Sequence, residues 1–155
     1  MKNHFLRTIT QIAFCFAFLL ATSCGLKSFP SEYTFIKSGF EKVELDKLGK
    51  GQVLIYNGAD ILHKIDNTSR LNIWIDDKPL GQLRANQYVV VNLKKGKYKF
   101  KILHWDVVNM RSTAELEIDE TTKVIRIKPT ISSNKVIVTN ELPKNFTKFR
   151  YTEGR

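Results

Sequence analysis

The stretch "KYKFKILHW", residues 97 to 105, constrains the fold more than any other part of the chain, because basic residues alternate with apolar or aromatic ones from Lys97 to Ile102. A period of two is typical of a β-strand with one buried and one exposed face. The buried face is predicted to carry Tyr98, Phe100, Ile102 and His104, and the exposed face Lys97, Lys99 and Lys101. The stretch "TAELEID", residues 113 to 119, has the same form, with Ala114, Leu116 and Ile118 inward and its acids outward.

These two strands are expected to pair in antiparallel fashion because their outer faces carry opposite charges. If paired positions sum to 216, Phe100 lies opposite Leu116. The same register places Lys101 opposite Glu115 and Lys99 opposite Glu117, and it places Lys97 opposite Asp119. Opposite charges across a ladder contribute roughly 0.2 to 1 kcal/mol per pair.

Six further short strands follow from apolar runs and alternation between turn signals. They are predicted at 52–57, 71–76, 79–84, 87–93, 123–129 and 135–142. Asn57-Gly58, Asp76-Asp77-Lys78-Pro79 and Lys94-Lys95-Gly96 read as turns. Gly81 is expected to allow a bend or bulge, and Gly96 to supply a turn conformation that other residues resist. The sequence therefore predicts an all-β fold, a single antiparallel β-sandwich of seven to eight short strands.

The N-terminal region has the pattern of a signal peptide. Lys2 and Arg7 precede an unbroken apolar run from Ile12 to Ala21, which is half the roughly 20 residues of a membrane span. Ala21-Thr22-Ser23 suits ordinary signal peptidase. The same residues followed by Cys24 also resemble the lipobox of bacterial lipoproteins, which prefers Leu where this chain has Ala21. We expect Cys24 to receive a lipid; a short buried helix is the alternative for this region.

This interpretation divides the chain into four parts. They are a lipoprotein signal peptide (1–23), a tether with a short helix (24–50), the β-sandwich (51–142) and a basic aromatic tail (143–155). The tail either packs on the domain or forms a loose arm. Cys15 leaves with the signal peptide, so the mature chain keeps a single cysteine and no internal disulfide is possible.

The charge of the mature chain is positive and uneven. Removing Lys2 and Arg7 from the 25 basic residues leaves 23 against 15 acidic ones, a net charge of +8. Residues 123–155 carry 8 basic and 2 acidic residues, or +6 of that total. A basic end suggests an anionic neighbour such as lipid headgroups, lipopolysaccharide or an acidic protein, although a solvated surface explains it equally well. Export and the lack of a nucleic-acid module signature argue against nucleic acid.

Motifs for catalysis or metal binding are not found in the sequence. His63 and His104 are far apart, there is no HExxH pattern, and neither a G-x-S-x-G elbow nor a phosphate-binding loop occurs. We therefore expect no enzymatic activity, no catalytic residues, no metal and no cofactor. The interaction candidates are a basic stripe, consisting of Lys94, Lys95, Lys97, Lys99 and Lys101, and Trp74. Trp74 lies opposite the apolar face of its strand and is either an exposed binding residue or is covered by the tether or the tail.

The central run resembles a family of bacterial lipoproteins, the domain-of-unknown-function family 2846. The residues that carry the resemblance are "LNIWIDDKPLGQLRANQYVVVNLKKGKYKFKI" and "AELEIDETTKVIRIKP", over about Gln52 to Pro129. The chain departs from the family at Lys94-Lys95-Gly96, where Pro-Pro-Gly is usual, and at Tyr56-Asn57, where Tyr-Arg is usual. Its hairpins are also similar to PEGA-like and carboxypeptidase regulatory-like domains. These resemblances imply a non-catalytic β-sandwich and transfer little function.

The expected function is a lipid-anchored envelope lipoprotein that acts as a non-enzymatic interaction or structural module, with the outer membrane or the periplasmic face as the favoured location. Its partners are expected to be the membrane, through the covalent lipid, and another envelope protein or an anionic surface. The alternative is a small-ligand or glycan binder that uses the rim loops at 57–70 and 105–112. A hydrolase is the least favoured option.

Overall fold

The fold is a sandwich of two β-sheets, which confirms the all-β prediction. A computed structural model describes residues 26–36, 43–59, 69–105, 109–130 and 132–153. The described strands are β1 (Gln52–Asn57), β2 (Leu71–Ile75), β3 (Lys78–Leu83), β4 (Gln87–Asn92), β5 (Gly96–Trp105), β6 (Asn109–Ile118), β7 (Val124–Pro129), β8 (Asn134–Val138) and β9 (Arg150–Tyr151). One-turn 3-10 helices lie at Leu45–Lys47 and Phe146–Lys148.

One sheet has five strands in the order β8-β7-β1-β4-β9, and the other has four in the order β3-β2-β5-β6. Most pairs are antiparallel, but β1 pairs with β7 and β4 pairs with β9 in parallel. The two-residue strand β9 lies within the predicted tail. The five-stranded sheet therefore includes residues that follow the predicted sandwich boundary at 142.

The predicted register between β5 and β6 was wrong by two residues. Paired positions sum to 214, so Lys97 lies opposite Glu117, Lys99 opposite Glu115 and Lys101 opposite Thr113. Ladder pairing continues to Trp105 and Asn109, which leaves three residues between the strands. A shift of two keeps every side chain on its predicted face, because the pleat repeats every two residues. The alternation correctly predicts which face each side chain occupies. It cannot distinguish registers that differ by two residues, because these bury the same side chains.

The main core lies between the two sheets. It is built from the inward residues of seven strands, including Ile55, Ile73, Val89, Phe100 and Ile125, each with no exposed surface. The alternation of β2 and β5 produces this layer directly. Phe100 faces Ala114 across the β5–β6 ladder, so a large side chain meets a small one.

A second apolar cluster covers the outer face of the five-stranded sheet. Leu54, Tyr56, Tyr88, Val90 and Val124 point away from the main core and are buried. Two chain segments cover them: the segment from Val43 to Leu48 and the C-terminal segment, which contributes Leu142, Phe146, Phe149 and Tyr151. Strands β1 and β4 are thus buried on both faces, which explains why "VLIY" and "YVVV" are unbroken apolar runs.

The β2–β3 hairpin turns at Asp76 and Asp77, whose φ angles are 49° and 64°. Two successive residues in this region form the type of two-residue turn that matches strand twist. The predicted bulge at Gly81 is confirmed: its φ is 108°, and the register shifts between Ile73 and Trp74 beside it. The expectation for Gly96 was wrong, because Gly96 begins β5 outside the left-handed region and a Cβ would come no nearer than 3.9 Å to its neighbours.

Asn57 ties three parts of the sandwich together at the end of β1. Its side chain has no exposed surface, and its Nδ2 donates hydrogen bonds to the carbonyl oxygens of Ser69 and of Leu83, the latter at 3.0 Å. Its Oδ1 accepts a bond of 3.0 Å from the backbone N–H of Ala59. The sequence predicts a turn residue here, but the amide is a buried clamp between β1, β3 and the segment before β2.

Candidate functional site

The segment that follows the predicted anchor is fixed on the outer face of the four-stranded sheet. The amide of Gln82 donates to the carbonyl oxygen of Leu26 at 3.0 Å, and the amide of Asn72 donates to that of Lys27 at 2.9 Å. Gln82 also donates to Asn72 Oδ1 at 2.9 Å. Both side chains are buried, at 3% and 4% exposure. Their hydrogen bonds therefore satisfy buried amides and hold the segment at the same time.

Aromatic stacking extends this attachment. The ring of Phe29 stacks on half-buried Trp74 with a centroid distance of 4.7 Å and an interplanar angle of 24°. The backbone N–H of Glu32 then donates to the carbonyl oxygen of Pro79 at 2.9 Å, on the β3 edge. Trp74 is thus partly covered by the predicted tether, while part of its surface remains accessible.

Tyr33 and Phe35 carry the segment across to the other sheet. The hydroxyl of Tyr33 donates to the carbonyl oxygen of Ile75 at 3.0 Å. Burial, followed by the charge of Asp76, raises the pKa of Tyr33 to about 12. Phe35 then pairs with Val91 in an isolated bridge at the edge of β4. The segment therefore joins the two sheets along one side of the sandwich.

Cys24 and the predicted signal peptide 1–23 lie outside the described residues. The nearest described residue is Leu26, two positions after Cys24. Within the described ranges, which begin at residue 26, no helix has the length and apolar character of a bilayer span. Cys24 as a lipidation site accordingly stays a prediction.

The basic stripe is matched with acids along its length. Lys97 and Lys99 lie opposite Glu117 and Glu115, and the ammonium of Lys101 is hydrogen-bonded to the carboxylate of Asp77. The Lys101 partnership, through its hydrogen bond and charge, lowers the pKa of Asp77. Lys94 and Lys95 line a rim depression together with Asp119 and Glu120. Alternating charges of this kind produce a weaker field than five free lysines would.

Trp74 also lines an open groove of about 520 Å³ on this face. Its other walls include Asp77, Lys101, Leu103 and Arg111. The groove brings together Trp74 and Lys101 from the predicted interaction set. Lys94 and Lys95 lie at the separate rim depression.

The histidines and the predicted rim loops are only partly described. His104 is fully buried near the C-terminal end of β5. His63 lies outside the described residues, as do residues 60–68 and 106–108 of the two predicted rim loops. Over the described part of the chain, no group of three or more His, Cys, Asp or Glu side chains is arranged to hold a metal ion.

A second cleft lies where the C-terminal segment meets the outer face of the five-stranded sheet. It encloses about 570 Å³. Its apolar walls are Tyr56, Leu142, Pro143 and Phe149, and its charged groups are Arg126, Glu141, Lys144 and Lys148. We call it the tail cleft. Tyr56 and Phe149 contact each other edge to face, with a centroid distance of 5.5 Å.

Arg126 is the principal polar group of the tail cleft. It leaves the outer face of β7, and its Nη2 donates to the carbonyl oxygen of Gly58 at 3.2 Å. Burial raises the pKa of Tyr56, the nearby Arg126 charge opposes this increase, and Glu141 adds to it. Arg126, Glu141 and Tyr56 all line the tail cleft.

Sequence reasoning did not identify the tail cleft. Arg126 reads as an outward residue of the alternating stretch "KVIRIKP", and Gly58 reads as half of a turn signal. The only hint in the sequence is the combination of basic and aromatic residues in the tail. Comparisons with family models, curated proteins and solved structures gave no match, so membership of the lipoprotein family named above stays a prediction.

Proposed function

We propose that this chain is a lipid-anchored β-sandwich of a bacterial cell envelope, joined to the membrane through Cys24, which acts as a non-enzymatic interaction or structural module. The favoured location is the outer membrane or the periplasmic face. The observation that supports this most directly is the docked segment that begins at Leu26. A chain that continues from a lipid at Cys24 meets the folded domain after only two residues.

That short connection gives the module a defined orientation. Two residues span at most about 7 Å, so an anchor at Cys24 holds the outer face of the four-stranded sheet close to the bilayer. Asn72, Gln82 and Trp74 then lie on the membrane-facing side. The opposite side, where the C-terminal segment covers the five-stranded sheet, faces away from the membrane and is accessible to partners.

Stable anchoring follows from the chemistry of lipoprotein modification. Each buried CH₂ contributes about 0.8 kcal/mol, and two or more acyl chains are enough for stable attachment. Electrostatic attraction between the basic stripe and anionic lipids would be a weak anchor, because most lysines of the stripe lie next to acidic residues. The covalent lipid therefore supplies the membrane attachment in this proposal, and the stripe contributes little.

The anchoring step is tested by metabolic labelling with an alkyne fatty acid in a bacterial host. The wild-type protein should incorporate the label and sediment with membranes. Cys24→Ser should lose the label, while the matched control Cys15→Ser should retain it, because residue 15 leaves with the signal peptide. An unlabelled wild-type protein, or label retained by Cys24→Ser, would refute the proposal.

The orientation is tested with brominated lipids, which quench nearby tryptophan. In a Trp105→Phe background, Trp74 is the sole tryptophan, since the chain has 2. Its fluorescence in vesicles should be quenched more strongly than that of a tryptophan introduced by Phe149→Trp in a chain that also carries Trp74→Phe and Trp105→Phe. Equal quenching at the two positions would contradict the orientation.

Ligand binding is the second candidate function, and the tail cleft is the observation that favours it. The cleft combines apolar walls with cations at the end of β1, where the predicted rim loop 57–70 begins. The first function requires only the anchor and the docked segment, whereas this one requires the cleft. The two are therefore separable by experiment.

A further inference from the structure

Arg126 in the tail cleft has more N–H donors than hydrogen-bond partners among the described residues. A guanidinium carries five N–H donors. Among the described residues, the only hydrogen bond from this side chain runs from Nη2 to Gly58, and its Nε is buried without a partner. Buried donors are nearly always satisfied, because leaving one unpaired costs free energy. The buried Nε lies against Gly58, so an acceptor in the cleft would be bound by the terminal guanidinium nitrogens, which are not among the buried unpartnered atoms.

The position of Arg126 depends on the absence of a side chain at Gly58. A Cβ at Gly58 would lie 2.5 Å from Arg126 Nε and 2.8 Å from Arg126 Cγ, well inside contact distance. Gly58 is not among the glycines with positive φ. Its role is therefore to leave room for the arginine, and an alanine here would displace the guanidinium without straining the backbone.

The charges around the cleft favour an anion. Among the described residues that line the cleft, Arg126, Lys144 and Lys148 supply three positive charges and Glu141 supplies one negative charge, a formal balance of +2. Lys144 and Lys148 are exposed, and neither forms an ion pair with a described residue. Arginine binds phosphate through paired N–H groups, and lysine adds a point charge. A phosphate dianion matches this balance.

The apolar walls indicate what accompanies the phosphate. Tyr56 and Phe149 form one side of the cleft, and Leu142 and Pro143 extend it. Sites for small molecules typically combine apolar and aromatic walls with a few polar groups. Inorganic phosphate would leave these walls uncovered, whereas a phosphate ester with a ring or other apolar group would contact them.

We propose that the tail cleft binds a small phosphomonoester, with the phosphate on Arg126 and an apolar or aromatic group against Tyr56 and Phe149. Phosphomonoester binding rests on the ligand-binding candidate, and only the choice between a soluble ester and a membrane headgroup uses the proposed lipid anchor. The cleft and the docked segment at Leu26 lie on opposite faces of the sandwich. A soluble phosphomonoester therefore suits the site better than a headgroup of the anchoring membrane.

The test is calorimetric titration of the full-length protein in non-ionic detergent with phenyl phosphate, in a buffer free of phosphate. Saturable 1:1 binding is expected, tighter than that of inorganic phosphate because the ring covers the apolar wall. Arg126→Gln should weaken binding at least about tenfold, as expected for loss of a charge-assisted hydrogen-bonded pair. Gly58→Ala should weaken it similarly with an unchanged circular dichroism spectrum.

Two charge variants separate the cleft from general electrostatics. Glu141→Gln should tighten binding because it removes the only acid among the described residues that line the cleft. Lys97→Gln removes one positive charge from the four-stranded sheet and should leave the affinity unchanged within about twofold, because Lys97 lies on the other sheet from the cleft and salt screens exposed charges at such separations. No saturable binding of phenyl phosphate, or equal weakening by Lys97→Gln and Arg126→Gln, would overturn the proposal.

The source of the phosphate is tested by adding phosphatidic acid to the detergent micelles. No competition with phenyl phosphate is expected if the ligand is soluble, whereas strong competition would overturn that assignment in favour of a lipid headgroup. Lipid anchoring is measured separately, through fatty-acid labelling of Cys24. A failure of one proposal therefore does not imply a failure of the other.

Discussion

Asn57 offers the sharpest test of how the sandwich is held together. Replacing it by alanine removes two hydrogen bonds donated to the carbonyl oxygens of Ser69 and Leu83, and one accepted from the N–H of Ala59. The Asn57 side chain is fully buried, so water cannot easily take the place of these three hydrogen bonds. At about 1 kcal/mol or more per bond, Asn57→Ala should destabilise the protein by about 3 kcal/mol.

A loss of that size should lower Tm by about 10 °C in a domain of this length. The assay is thermal unfolding of the full-length protein in non-ionic detergent, followed by circular dichroism. Asn92→Ala is the matched control, because Asn92 also ends a strand but is exposed. The control should shift Tm by no more than about 2 °C. Similar shifts for the two variants would show that the Asn57 amide does not clamp the three segments.

Phe100→Ala should cost about 3 to 5 kcal/mol, because it removes a fully buried ring between the sheets, and the same thermal assay measures the loss. A double-mutant cycle between Lys99 and Glu115, which lie opposite each other, should give a coupling of about 0.2 to 1 kcal/mol. A cycle between Lys101 and Glu115 should give a smaller value. A larger coupling for Lys101 than for Lys99 would instead support the register in which paired positions sum to 216. Burial raises the pKa of Tyr33 from its ordinary value of 10.0 to about 12, so the phenol stays neutral in the fold up to higher pH. Its contribution to stability should be complete below pH 10 and should be lost as pH rises through 12, and Tyr33→Phe should reduce the alkaline loss of stability between these values.

The strands could be predicted because each carries its own local signal. Alternation in β5 and β6 assigned their faces, and turn residues bounded the β2–β3 hairpin. Register was not determined, because the pattern repeats every two residues and registers of the same parity bury the same side chains. The strand pattern alone therefore leaves several registers open.

Features that depend on contacts between segments distant in sequence could not be predicted from local patterns. The run "VLIY" in β1 indicates burial on both faces, but nothing in the run identifies the C-terminal segment as the cover. Strand β9 has only two residues and no detectable period. The tail cleft requires Arg126 on β7, Gly58 after β1 and the segment around Lys148 to meet in space, and their separation in sequence conceals this.

The site predictions divide in the same way. The position of Trp74 on the outer face followed from alternation, whereas its contact with Phe29 depends on where the N-terminal segment runs. The basic stripe was also predicted from alternation. Which acid lies next to each lysine depends on the actual register and on Asp77. The hydrogen bond between Asp77 and Lys101 joins two strands that are separate in sequence, so the strand pattern does not predict it.

The central claim is that a lipid on Cys24 holds this sandwich against a bacterial membrane by its four-stranded sheet. Its most direct test is the mass of the N-terminal peptide of the protein purified from bacterial membranes. The account predicts a peptide that begins at residue 24 and carries a diacylglycerol on sulfur. A peptide with an unmodified thiol at residue 24, or a chain that still retains residues 1–23, would contradict it.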